Sequence, residues 1–419
     1  MRSGERSQQG VASRNAPKKF SIPMRHLADA WIVPAVLAPV AALGASYSAP
    51  QLLIVASQPV AVALTFVLFG LSVLLWIFFE PRETWPPLFQ VFIFSLLALW
   101  VMGMLSSVVR RDPFDITSLV VGPLLMLLVL KRPPSRSVWM SGDAYAVSLL
   151  AVSLLAQIQD VLGVREMREQ FWIRLPFVAD FFGPIPRWEG PFSNPNIAGP
   201  VGAFLVVYGI WRSGVLRFVL VGSGALVVVM ADSRTGFIAV LAPLIFLLVV
   251  RSLRGLRTSG VPRWVTYGVL TAIAVASFLL VLRLDPSLNG RIEIWNQFLG
   301  LWQENWLFGA GQSGIQEVIK SGDLPSWANH GHNLVIDVLG RFGLLGAVAL
   351  LSALTFLTLL VWLDAKSGRG AALSILVMFV AAGVTEDLID WRYLGIHYVP
   401  LLLCSMLAAQ SVIPQKVQK

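Results

Sequence analysis

The sequence predicts an all-α integral membrane protein with about twelve spanning helices, on the basis of its composition, its apolar runs and its charge distribution. Of the 419 residues, 56% are hydrophobic and only 13% are charged, and the mean hydropathy is +0.72. Soluble domains carry about a quarter of charged residues, so most of this protein's surface must face lipid. Apolar runs of about 20 residues, the length that crosses a bilayer as a helix, recur along the whole chain.

These apolar runs, bounded by charges or by Pro and Gly, define the predicted spans. They cover residues 28–48, 59–79, 87–109, 114–130, 143–163, 195–211, 216–231, 235–250, 264–282, 343–363, 371–388 and 393–411. Residues 333–342 are predicted to form a lead-in to the tenth span. One transmembrane unit, 28–411, therefore lies between two cytoplasmic tails, 1–27 and 412–419. The first tail is polar and basic and lacks the apolar core of a signal peptide.

The charges orient the predicted bundle. With the N-terminus in the cytoplasm, the inner segments carry most of the lysines and arginines, and the outer segments carry most of the acids. This partition follows the positive-inside rule. The net charge of +9 and the pI of about 10.0 then reflect contact with anionic membrane lipids, and no nucleic-acid partner is predicted. Two long outer loops result, at about 164–194 and 283–332.

The second outer loop contains a helical pattern of apolar side chains. Within residues 289–304, Ile292, Trp295, Phe298 and Trp302 recur every three or four positions. This spacing predicts an amphipathic helix that lies on the outer leaflet.

Four polar clusters fall on the predicted outer face, and two of them precede predicted spans. Arg187, Asn194 and Asn196 lead into the sixth span, where Asn194 can cap the helix and the helix N-terminus can bind an anion. Ser233 and Arg234 occupy the short connection before the eighth span. Each cluster also has a plainer interpretation, because amides often only cap helices and boundary arginines often extend to lipid headgroups.

The other two clusters lie in the second outer loop. Arg291 precedes Trp295 and a glycine-rich stretch, and the sequence NHGHN contains His330, His332 and Asn333. Two histidines can contribute to a metal site. No cysteine accompanies them here, however, and no carboxylate has the usual ligand spacing, so no metal is predicted.

Several arginines beside helix N-termini suit a diphosphate. Guanidinium pairs bidentately with phosphate oxygens and keeps its charge. Because the predicted outer face is net acidic, these arginines would form a local anion site. A neutral imidazole beside that site would be able to act as a general base near pH 7.

The acids near the C-terminus have two interpretations. Glu386, Asp387 and Asp390 follow one another at the outer face. They are predicted to be exposed loop charges or salt-bridge partners. The alternative is a paired-carboxylate metal site at Asp387 and Asp390.

The succession RWEGPFSNPN, SRTG, RIEIW with LFGAGQSG, and HGHN followed by GRFGLLG resembles the O-antigen ligase/polymerase superfamily over about residues 180–350. The resemblance implies a GT-C-type, metal-independent glycosyltransferase that needs no cofactor. It would act at the periplasmic face of the bacterial inner membrane. Its donor would be a glycan on undecaprenyl diphosphate, and its acceptor a lipid or glycan hydroxyl, such as that of lipid A-core.

The resemblance also implies roles for individual residues. His332 matches the family's essential histidine, which activates or orients the acceptor hydroxyl. Arg187, Arg234 and Arg291 match groups that hold and neutralise the leaving diphosphate. The remaining predicted substrate-binding residues are Asn194, Asn196, Ser233, Trp295, His330 and Asn333.

One position departs from the family pattern. The family usually has an acidic residue where this chain has Arg341. Asp337 lies four residues earlier, on the same helical face, and is expected to compensate.

Two alternative functions remain open. A polymerase would join repeat units while they stay on the lipid, and only the HxHN form of the histidine motif favours a ligase. A transporter or flippase of the same glycan would place ionisable residues within its spans and often show repeated halves. Because the predicted spans are nearly free of charge, the sequence favours an enzyme.

Overall fold

The computed structural model describes residues 28–48, 54–78, 84–110, 119–161, 187–188, 190–192, 194–255, 290–325, 328–366, 370–388 and 398–412. All regular secondary structure in these ranges is helical. The predicted span 264–282, most of the first outer loop and Asp390 lie outside the described residues.

The described α-helices are α1 (Ile32–Ser48), α2 (Ile54–Phe78), α3 (Pro87–Arg110), α4 (Val121–Leu130), α5 (Ser135–Val161), α6 (Pro195–Ile210), α7 (Gly214–Ala231), α8 (Arg234–Gly255), α9 (Arg291–Glu304), α10 (Gly311–Ser321), α11 (Leu334–Lys366), α12 (Ala371–Gly383) and α13 (Tyr398–Val412).

Four of these helices, α3, α5, α7 and α11, are long and apolar enough to cross a membrane. Shorter apolar stretches lie in α1, α2, α4, α6, α8, α12 and α13. The protein is thus an all-helical, multi-pass membrane protein over its described residues. Eleven of the twelve predicted spans coincide with one of these helices. The number of spans and the GT-C architecture stay predictions.

Several predicted boundaries differ from the structure by a few residues, and two of these differences involve polar stretches. Helix α5 begins at Ser135, eight residues before the predicted span, because the polar stretch before Asp143 continues as helix. Helix α12 ends at Gly383 and is followed by a turn, so Glu386 lies outside the helix.

The predicted lead-in to the tenth span corresponds to the first part of α11. The helix is kinked at Gly343, which has φ 65° and ψ −161°. A side chain there would collide with the backbone of Leu307, so only glycine allows the turn before α10 to pack so closely. The kink separates residues 334–342 from the long apolar part of the helix.

Hydrogen bonds between helix termini define two ends of the bundle. The site end contains the termini near Asn194, Asp232, Asn333 and Glu386. The opposite end contains the termini near Lys131, Asp143, Arg212, Ser374 and Gln410. Helix α6 joins the two ends with 16 residues, which span about 24 Å.

A small second core lies at the site end. Helices α9 and α10 pack against the start of α11 through Ile294, Phe298 and Ile315. The predicted amphipathic helix is therefore present, and Phe298 of its predicted apolar set is fully buried. Ile292 is 38% exposed, whereas Ile294 is buried, because α9 turns its buried side towards α10 and α11. Its position on the outer leaflet stays a prediction.

Candidate functional site

The N-termini of α6 and α8 lie side by side at the site end. The side chain of Asn194 caps α6 by accepting from the backbone N–H of Asn196 at 2.9 Å. Ser233 caps α8 in the same way by accepting from Gly236 N–H. Gly199 and Gly236 touch backbone to backbone. Because helix N-termini carry partial positive charge, their meeting favours an anion here.

Arg187 connects the end of α7 with the start of α6. Its guanidinium donates to the carbonyls of Ala231 and Asp232, both at 2.9 Å, and approaches Asn196 Oδ1 at 3.4 Å. It thus satisfies the last carbonyls of α7, which a helix end leaves without helical partners. Arg187 therefore has a structural contact beside the paired N-termini, in addition to any role towards a ligand.

A hydroxyl pair connects α8 with the segment after α12. Arg234 is the first residue of α8 and is half-buried. Thr235, the next residue, lies 2.7 Å from Thr385, measured between the two Oγ1 atoms. Glu386 directly follows Thr385. The predicted arginine cluster and the C-terminal acids are thus joined by one buried contact.

His332 is buried between α11 and this segment. It is 5% exposed and has φ 47°, a left-handed conformation that non-glycine residues rarely adopt. Asn333, the next residue, caps α11 by accepting from Val335 N–H and Ile336 N–H. Its amide group also donates to the carbonyl of Val384 at 2.8 Å. The histidine is therefore held at a helix start that is fastened to the segment of Glu386.

Glu386 is shared between a histidine and an arginine. Its Oε2 lies 3.2 Å from His332 Nδ1, and its Oε1 accepts from Arg291 Nη2 at 2.5 Å. Burial raises the pKa of this carboxyl, but Arg291, His332 and His330 outweigh it and hold the pKa below its usual range. The group is thus an anion although it is only 3% exposed.

His330 packs against His332, with their ring centroids 3.9 Å apart and the ring planes tilted by 50°. Its Nδ1 accepts from the backbone N–H of His332, which puts the proton of the neutral ring on Nε2. Burial and the neighbouring His332 lower the pKa of His330 to about 4. This ring is therefore neutral near pH 7.

Three ligand atoms of His330, His332 and Glu386 lie within 4.8 Å of one another. Two histidines and a glutamate form a known donor set for zinc. The Arg291 cation already pairs with the same carboxylate, however, which opposes a second positive charge. Transfer activity in the presence of a chelator decides between a metal site and an ion pair with Arg291.

The remaining predicted site residue, Trp295, lies one turn after Arg291 on α9 and packs against the main core. Six of the predicted site residues lie together at the site end, namely Arg187, Asn196, Arg234, Arg291, His332 and Asn333. Sequence reasoning missed the importance of Glu386, which it treated as a loop charge or salt-bridge partner. It is a salt-bridge partner, but a buried one. The available signal was a carboxylate directly after an apolar span, on the face of the arginines.

Residues 217–351 match the family model described as O-antigen ligase. About a third of the chain is thus similar to the O-antigen ligase family. This match confirms the resemblance, and it supports a ligase- or polymerase-like glycosyltransferase acting on lipid-linked glycan and an acceptor. No curated protein matches the chain.

The matched region covers only part of the site. Arg234, Arg291 and His332 lie inside the matched region, whereas Arg187 and Glu386 lie outside it. The resemblance over 180–216 therefore extends beyond the matched residues. The structure brings Glu386 to the matched region through its contacts with Arg291 and His332.

Proposed function

We propose that this protein is a metal-independent glycosyltransferase, a ligase that moves a glycan from undecaprenyl diphosphate to an acceptor hydroxyl at the periplasmic face of the inner membrane. The contact of His332 with Glu386, beside Arg291, carries the proposal. It combines a base, the group that orients it and a cation in one buried cluster.

His332 acts as the general base. An ionised Glu386 accepts a hydrogen bond from Nδ1–H, so the neutral ring has its lone pair at Nε2. Nε2 takes the proton of the acceptor hydroxyl while the hydroxyl oxygen attacks the anomeric carbon. The bond from that carbon to the phosphate oxygen breaks, and its electron pair leaves with the lipid diphosphate. Glu386 stabilises the imidazolium that forms.

The diphosphate is held by fixed positive charge. Arg234 lies at the N-terminus of α8, beside the N-terminus of α6. Arg291 adds a guanidinium with five N–H donors, of which Glu386 takes one. Arg187 contributes from the capped end of α7. Charge that develops on the leaving group is stabilised by such fixed cations without reorganisation.

The other predicted residues have supporting roles. Asn194, Ser233 and Asn333 cap the three helices that meet here. We assign Asn196, Trp295 and His330 to contacts with the glycan or the diphosphate. None of these roles requires a metal or a cofactor.

The test uses the purified full chain in liposomes, with a lipid-diphosphate-linked glycan, a lipid A-core acceptor and EDTA. Wild-type protein should glycosylate the acceptor. His332→Ala should lower the rate by about 1000-fold, within the usual range for removal of a general base. Its melting temperature should stay close to that of the wild type. Ser374→Ala, at the opposite end of the bundle, is the control and should retain wild-type transfer.

Two results would contradict the proposal. One is a wild-type rate in His332→Ala, and the other is loss of transfer in EDTA that a divalent ion restores. A strain lacking the gene separates ligase from polymerase. Full-length polymer on the lipid carrier indicates a ligase, whereas acceptor with a single repeat unit indicates a polymerase.

A further inference from the structure

A buried ion pair fastens the histidine loop, residues 329–332, to α11. Arg341 Nε donates to Asp337 Oδ2 at 2.8 Å, and the side chains are 5% and 2% exposed. Asp337 Oδ1 accepts from Gly331 N–H at 2.7 Å, and Arg341 Nη2 donates to the carbonyl of Asn329. Asp337 thus pairs with Arg341, four residues later on the same helical face, and its compensation for the departure from the family pattern stays a prediction. The pair holds the loop at two backbone positions.

Arg341 also reaches two other elements. Its Nη1 donates to Gln312 Oε1 on α10, and its carbonyl accepts from Ser106 Oγ on α3 at 3.2 Å. The neighbouring carbonyl of Gly340 accepts from Ala310 N–H at 2.8 Å. The loop, α3, α10 and α11 therefore meet at one guanidinium and its adjoining backbone.

We infer that the pair of Asp337 and Arg341 is a positioning device for His332, an inference that rests on the proposed function. His332 has a left-handed φ of 47°, which persists only where the surroundings fix it. The ion pair holds the backbone at Asn329 and Gly331, just before His332. Asn333, directly after His332, is held by its hydrogen bond to Val384. The imidazole is thereby aimed at Glu386 from both sides.

The energetics of buried pairs agree with this role. Replacing a buried ion pair by apolar groups is often neutral for stability, whereas removing one partner leaves an uncompensated charge. A buried pair needs further hydrogen bonds for its remaining donors and acceptors, and the partners of those bonds show what the pair holds. Here two of the bonds go to the loop backbone, at Gly331 and Asn329, which favours control of loop geometry.

The experiment measures kcat, KM for the donor and melting temperature in Arg341→Met, Arg341→Lys and the control Arg212→Met. Arg341→Met should lower kcat by about 100-fold, because a displaced catalytic group costs that much, with KM nearly unchanged. Arg341→Lys keeps the charge beside Asp337 but not the fork of donors. Its kcat should be lower than that of the wild type, and its melting temperature should be unchanged. This variant replaces Arg341→Met in the experiment if Arg341→Met does not fold. Arg212→Met should keep kcat.

A double-mutant cycle separates positioning from general weakening of the fold. Glu386→Asp also displaces His332, so its effect on kcat and that of Arg341→Lys should not be additive. A combined loss smaller than the product of the two single losses supports the inference. Independent losses would overturn it, as would a wild-type kcat in Arg341→Lys. If His332→Ala is itself fully active, the proposed function fails, and that result is distinct from failure of the positioning role.

Discussion

The two ends of the bundle both contain an arginine–carboxylate pair, but the pairs differ in burial and in sharing. At the opposite end, Arg212 pairs with Asp143 at 2.7 Å, and the side chains are 25% and 27% exposed. At the site end, Arg291 and Glu386 are 11% and 4% exposed, and Glu386 also contacts His332. The same chemistry therefore operates in two different environments.

The pair at the opposite end is an anchor. Asp143 also accepts from the Tyr208 hydroxyl at 2.9 Å, and the guanidinium of Arg212 lies 4.9 Å from the ring centre of Trp139. A partly exposed ion pair of this kind is screened by water and contributes about 0–1 kcal/mol. A buried carboxylate that loses its cation costs about 3–5 kcal/mol. Matched substitutions at the two ends should therefore give different results.

The largest difference is expected for the two carboxylates. Glu386→Gln should lower transfer by on the order of 1000-fold, because an amide can donate to Nδ1 and stabilise the wrong tautomer of His332. Asp143→Asn should leave transfer unchanged, since its oxygen still accepts from Tyr208. The measurement is the initial rate per folded molecule in liposomes. Equal losses in the two variants would show that burial does not distinguish the pairs.

A smaller difference is expected for the arginines. Arg291→Met should lower transfer by about 100-fold, because it removes a fixed cation near the leaving group, and should also lower the melting temperature. Arg212→Met should lower only the melting temperature. Rates and melting curves of the same preparations provide the check. A loss of transfer in Arg212→Met, beyond the loss of folded protein, would contradict the separation of the two ends.

Much of the fold could be predicted from the sequence because bilayer thickness limits the choices. An apolar run of about 20 residues has few alternatives to a helix. The lead-in before the tenth span could also be predicted, and the kink at Gly343 now explains it. The ends of α5 and α12 could not be predicted, since polar residues at a membrane boundary suit both helix and loop.

The candidate site was less predictable, for a physical reason. Motifs that match a family identified His332 and Arg291, but Glu386 lies 54 residues beyond His332 in sequence. Only the packing of α12 beside α11 brings the two together. The burial of Ile294 on α9 could not be predicted for the same reason, because the position of α10 decides which apolar side chains are covered.

The smallest expected effect concerns the pH dependence of stability. The pKa of His330 is about 4 in the folded protein, compared with 6.5 for an unperturbed histidine. Between these values the unfolded chain binds a proton that the folded protein does not, so stability should fall as the pH is lowered from about 6.5 to about 4. Melting temperatures should therefore decline less over this range in His330→Gln than in the wild type. No matching histidine lies among the described residues of the opposite end, where Ser374→Ala removes no titratable group and should leave this decline unchanged. An identical decline of the melting temperature in His330→Gln and the wild type would show that His330 does not contribute to the pH dependence of stability.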